Sequence, residues 1–172
     1  VQDTDGLQAA WRALPRPMQR SAEVVRAFAD RAVALGGADL TEQVIRAALK
    51  REWNPALLVP YGEAGDSDAS ERLKQCEKWL QNHPEDAVLD LTMGRLCARG
   101  ELWGKAREHL VRSLELEPTV PGYDSLGQLL ERKGELETAM VCFRNALRMN
   151  QGLEPLPLPV DTARLAAPDA AP

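Results

Sequence analysis

The imidazoles and thiols of this 172-residue chain are His83, His109, Cys76, Cys97 and Cys142. A metal site wants His or Cys three to five residues apart, or a Cys-x-x-Cys pair, because its ligands must converge on one ion. None of the five is so spaced, so no metal ligand is expected. His83 precedes Pro84 in a turn, and His109 lies among Arg107, Glu108 and Arg112, where a surface histidine is the plain expectation and ligation the sharper alternative. No Ser-His-Asp set is legible. There is no Gly-x-Gly-x-x-Gly run after a strand and no Gly-Lys-Ser/Thr phosphate loop. Trp103-Gly104-Lys105 reads as a turn with the Trp packed under the next helix. Glu71, Glu77, Glu115 and Glu117 mostly alternate with Lys and Arg, as on a solvated helix face. No catalytic residue, cofactor site or metal site is expected, and the chain reads as a binding module rather than an enzyme.

The elements that would position such groups follow from composition. Aromatic content is 5% and charged content 27%, with Ala, Leu, Glu and Arg plentiful, which favours helices over sheets. Net charge is −5 with basic and acidic residues interleaved, so no electrostatic footprint for nucleic acid is present. Three widely spaced cysteines inside apolar helical patterns suit buried thiols in a reducing compartment. No apolar run is long enough to cross a bilayer, and no signal peptide opens the sequence. The start at Val1, without Met, reads as a piece of a longer chain.

A repeat dominates the second half. Shifted by 33 residues, Gly94 falls on Gly127, Leu96 on Leu129, Arg99 on Arg132, Ala106 on Ala139 and Leu114 on Leu147. At a shift of 34, Gly100-Glu101-Leu102 falls on Gly134-Glu135-Leu136. The one-residue difference predicts a shorter first helix and a longer turn in the first unit. Gly94 and Gly127 are expected where a side chain would block the partner helix, since glycine costs about 1 kcal/mol mid-helix and needs compensation. Gly100 and Gly134 are expected to end the first helices in the left-handed conformation.

These positions resemble the tetratricopeptide (TPR) pattern. Tyr123, Leu126, Gly127, Gly134, Ala139, Phe143 and Ala146 match in one unit, and Met93, Gly94, Ala106, Leu110, Ser113 and Pro118 in the other. The resemblance implies an all-α solenoid of antiparallel helix pairs, coiled as a right-handed superhelix. The boundaries read as follows: 1–15, the last helix of a cut-off repeat; 16–52, a degenerate pair with Phe28, Ala29, Gly36, Ile45 and Ala48 in register; 53–86, a defective repeat of a short segment, a loop and one helix capped by Ser70 or a neighbour; 87–119 and 120–150, two sound repeats; and 151–172, a disordered Pro/Ala-rich tail. In that register the first helices line a concave surface carrying Arg95, Arg99, Asp124, Gln128, Glu131 and Arg132, with Arg26 and Asp30 upstream. A protein segment bearing carboxylates would suit it, ordinary exposed charge being the bland alternative.

The run Met93-Gly94-Arg95-Leu96-Cys97, then Leu102-Trp103-Gly104-Lys105-Ala106-Arg107, closely resembles the HemY family of Gram-negative bacteria. So do Trp11-Arg12-Ala13-Leu14-Pro15 and Leu57-Leu58-Val59-Pro60-Tyr61 before it. The resemblance implies an inner-membrane protein, anchored by segments outside this chain, whose TPR region lies on the cytoplasmic side and takes part in late haem (protohaem IX) synthesis. It implies a scaffold for haem-pathway enzymes; a generic adaptor unrelated to haem, or a direct haem or porphyrin carrier, are the alternatives. An unrelated flavoprotein sharing the name would need a dinucleotide-binding fold.

Overall fold

The computed structural model describes residues 3–64 and 69–158, and every regular element in them is helical. The chain divides into two compact units, Val1–Asp68 and Ala69–Pro172.

In the first unit α1 (Thr4–Ala13) opens where the Asp3 carboxylate accepts from the Gly6 N–H at 2.7 Å, satisfying a donor that the first turn leaves over. The short α2 (Arg16–Arg20) begins with Pro17 in its first turn and is held to the end of α1 by Gln19, whose Nε2 donates to the carbonyls of Trp11 (2.7 Å) and Leu14 (3.1 Å). Then α3 (Ala22–Ala34) and α4 (Ala38–Arg51) pack as a pair. Their apolar stripes bury Val25, Phe28, Ala29 and Ala32 on one helix, and Ile45, Ala48 and Leu49 on the other. Pro55–Leu57 forms a single 3-10 turn and α5 (Leu58–Glu63) a short helix, both packed on α3.

In the second unit α6 (Ala69–Leu80) packs on α7 (Ala87–Arg99); α7 pairs with α8 (Trp103–Leu116), and α9 (Val120–Arg132) with α10 (Leu136–Asn150), α8 lying against α9. This is the helix-pair stack expected of a solenoid. Each first helix is capped by a side chain, Asp86 accepting from Leu89 N and Thr119 from Gly122 N. The stretch read as one defective repeat is divided between the two units. Because α6 already includes Ala69, Ser70 lies inside the helix, and the expected cap falls on residues outside those described.

The repeat is more regular than the sequence suggests. The first helices α3, α7 and α9 are each 13 residues long. Each is followed by a three-residue turn closed by one backbone bond: Gly37 N to Ala32 O (2.8 Å), Leu102 N to Cys97 O (2.9 Å) and Glu135 N to Leu130 O (2.9 Å). The left-handed residue of that turn is Gly36 (φ +71°), Glu101 (φ +58°) and Gly134 (φ +78°). Glu101, not Gly100, is therefore the counterpart of Gly134. The expected shorter helix and longer turn are corrected: the apparent shift of 34 is a chance match of Gly-Glu-Leu triplets, and backbone geometry keeps both units at one spacing. The pair α3–α4, read as degenerate, has the same first-helix and turn lengths, and its second helix has 14 residues, as α8 does.

Close packing explains the mid-helix glycines. A Cβ at Gly94 would come within 2.6 Å of Leu110 Cγ and 3.2 Å of the Ala106 carbonyl, and one at Gly127 within 2.6 Å of the Phe143 ring. Burial of Leu110 and Leu126 at these crossings contributes about 1.5–3 kcal/mol each. Even the smaller of these figures exceeds the helix-propensity cost of a glycine, about 1 kcal/mol.

Candidate functional site

The buried polar side chains of the second unit begin with Asp90 on α7. With the helix starts Ala22, Ala87 and Val120 superposed, Asp90 takes the place of Val25 and Tyr123, and His109 that of Val44 and Cys142. A polar pair thus replaces an apolar one at the crossing of α7 and α8. The Asp90 side chain is 0% exposed, its Oδ1 is 2.8 Å from His109 Nδ1, and Arg112 Nε stands 3.3 Å from its Oδ2. Arg112 also donates to the Pro84 carbonyl at 2.6 Å, and Ser113 Oγ to the Ala87 carbonyl at 2.7 Å. Burying a carboxylate without such partners is costly. His109 is 15% exposed, which corrects the expectation of a surface histidine: the helix turns it inward, while Arg107 pairs instead with Glu135 at the next turn. Trp103 opens α8 rather than sitting in a turn.

The residues assigned to a concave surface fall as follows. Arg95 Nε donates to Ser125 Oγ at 2.9 Å, joining α7 to α9. Gln128 Nε2 donates to Asp124 Oδ2 at 2.8 Å, one turn apart on α9. Arg99, Glu131 and Arg132 are exposed at the ends of the same two helices. Arg26 and Asp30 belong to the first unit, where both carboxylate oxygens lie 2.9 Å from Arg26 Nε and Arg26 Nη1 donates to the Ala56 carbonyl at 2.8 Å. Ser125 went unnoticed in the sequence, since a serine between Asp124 and Leu126 carries no periodic signal.

The start of the Pro/Ala-rich stretch is held in place. The fully buried Asn145 donates to the Leu156 carbonyl (2.8 Å) and accepts from the Leu156 N–H (2.7 Å), and Arg148 Nε donates to the Glu154 carbonyl (2.8 Å). Residues 153–158 are thus ordered against α10, contrary to the expected disorder, because one amide satisfies both backbone groups of Leu156. The rest of the expected tail, 159–172, lies outside the described residues.

All three cysteines are buried and none is in a disulfide. Burial pushes the thiols of Cys97 and Cys142 up to about 11, Lys105 opposing this at Cys97; Tyr123 is likewise raised by burial. Such thiols are poor nucleophiles and poor ligands. Among the described residues no group of three or more His, Cys, Asp or Glu could hold a metal ion. No helix among them is long and apolar enough to cross a membrane.

Comparison with known proteins supports the resemblance read from the sequence. Curated proteins named Protein HemY, from Escherichia coli (strain K12) and Shigella flexneri, are each 22% identical to the chain over 146 residues, 85% of its length. The chain spans 37% of the length of those relatives. No family model matches it, and no solved structure does.

Proposed function

We propose that this region is a non-catalytic scaffold of TPR type that holds a protein segment along α7 and α9 and serves late haem synthesis at the inner membrane. The observation that carries the binding reading is the bond from Arg95 to Ser125, which joins two consecutive first helices into one polar strip. Arg99 and Arg132 offer guanidinium forks for carboxylates on a bound segment, and Asp124, Gln128 and Glu131 offer acceptors beside them. The described residues are helical in every regular element, which suits a scaffold, and among them no strand-loop-helix unit of the dinucleotide-binding kind is present. The haem pathway and the cytoplasmic side are part of the proposal through the resemblance read from the sequence, to which the likeness to proteins named HemY adds support for the family alone.

The reading is tested by affinity capture of the full-length membrane protein from cells, beside an Arg99→Glu/Arg132→Glu variant. Recovery of a haem-synthesis enzyme with the parent and its loss with the variant is expected. Equal recovery, or none from either, would overturn it.

A further inference from the structure

The first unit carries a cleft of about 460 Å³ bounded by α1, α2, α3 and α4. Its apolar wall includes Trp11 and Phe28, whose ring centroids are 4.6 Å apart. Four arginines line it, Arg12, Arg16, Arg20 and Arg51, and no carboxylate does. Four guanidinium groups elsewhere in the fold find acids, Arg26 with Asp30, Arg46 with Glu42, Arg107 with Glu135 and Arg112 with Asp90, whereas Arg132 and Arg144 stand singly on exposed helix faces without one among the described residues. Among the described residues Arg12, Arg16 and Arg20 have no such partner, and Arg51 spends one donor on the Arg20 carbonyl at 3.1 Å. Like charges gathered over an apolar wall repel one another and gain nothing for folding.

The backbone around them is fixed. Gln19 ties α2 to the end of α1, and Arg51 ties α4 to the end of α2. The arginines therefore stand on elements already held in position, as a preformed site requires.

We propose that this cleft binds a small amphipathic organic anion, a flat apolar ring system bearing two or more carboxylate or equally anionic groups. The volume lies within the range of small-molecule sites. The rings would lie against Trp11 and Phe28, and the anionic groups would meet the guanidinium forks, which match carboxylates bidentately. The site uses no residue of α7 or α9 and stands whether or not the scaffold reading does.

Fluorescein, a flat ring system with a carboxylate and a net negative charge near neutral pH, is the probe, followed by anisotropy and by quenching of tryptophan emission in the full chain. Saturable binding is expected. A cationic rhodamine ester of the same ring size should not bind. Arg16→Ala/Arg20→Ala and, separately, Gln43→Glu, which puts a carboxylate on the exposed cleft rim, should each weaken fluorescein binding by about tenfold or more. Arg144→Ala on α10 should leave it unchanged. Phosphatidylglycerol vesicles should not sediment the chain. The proposal is overturned by absence of saturable binding, by binding that neither cleft variant weakens, or by vesicle binding without fluorescein binding, which would mark a membrane contact instead. Circular dichroism checks each variant's fold; Gln43→Glu keeps the test decisive if the double arginine variant unfolds.

Discussion

Asp90 on α7 and His109 on α8 meet at 2.8 Å in the buried crossing of a helix pair, where the corresponding residues of the first unit are Val25 and Val44. Arg112 is the third member of the contact, an ion pair at 3.3 Å with an Asp90 Oδ2 that makes no hydrogen bond. Removing one partner leaves a carboxylate short of donors in a water-excluded place. His109→Val should therefore cost roughly 2–3 kcal/mol, less than a fully orphaned buried charge because Arg112 remains. Asp90→Val/His109→Val, which restores the apolar pair, should return to within roughly 1 kcal/mol of the parent. Urea unfolding of the four proteins of this cycle measures the coupling; a loss in the double variant equal to the sum of the two single losses would show that the pair is not coupled.

The two mid-helix glycines should respond differently to alanine. At Gly94 the new methyl meets a Leu110 branch point and a backbone carbonyl, neither of which yields easily; at Gly127 its nearest neighbours are atoms of the half-buried Phe143 ring. Gly94→Ala should lower stability by roughly 1–2 kcal/mol, after the helix-propensity gain is deducted. Gly127→Ala should cost less, as the ring swings aside. Thermal melts of both, side by side, test the order.

Glu101 holds φ +58° where the equivalent turns have Gly36 and Gly134. A side chain there carries strain of about 1 kcal/mol that glycine avoids. Glu101→Gly should raise stability by roughly 0.5–1 kcal/mol, and an unchanged or lower melting temperature would contradict this.

The thiols set an alkaline limit. Cys97 and Cys142 ionise in the fold only near 11, against about 9 for an unhindered thiol. With folded values raised, the stability they contribute is complete below about pH 9 and is lost as pH rises from there through about 11, because the unfolded chain releases its protons first. Melting temperature should fall across that window, and alkylation by iodoacetamide at pH 8 should be slow until denaturant is added.

The Asn145 clamp is checked by hydrogen exchange. Asn145→Ala should expose the Leu156 amide, raising its exchange rate by about tenfold or more, while the α9 and α10 amides keep most of their protection. Unchanged protection at Leu156 would mean that the clamp does not hold the segment.

Much of this was legible in the residues, for identifiable reasons. Gly94, Gly127, Ala106 and Ala139 announced close helix crossings because small residues inside long apolar periods have few other uses. The pair α3–α4 looked degenerate because Thr41 stands where Ala106 and Ala139 do, although its backbone is as regular as the others. The alignment by Gly-Glu-Leu misled because a residue other than glycine holds the left-handed position at Glu101. The charged neighbours of His109 in sequence suggest solvation, whereas a helix sends successive residues to different faces and its partner Asp90 lies on another helix. The arginine cleft was invisible for the same reason, its four arginines being gathered from three helices and part of its other lining from a fourth.

The scaffold claim is tested most directly by placing a photo-crosslinking amino acid at Gln128, on the polar face of α9, in the full-length protein in its own membrane, with a matched position at Arg144 on α10. A crosslink from Gln128, and not from Arg144, to an enzyme of haem synthesis is the result predicted. No crosslink to such an enzyme from Gln128, or equal crosslinking from both positions, would contradict it.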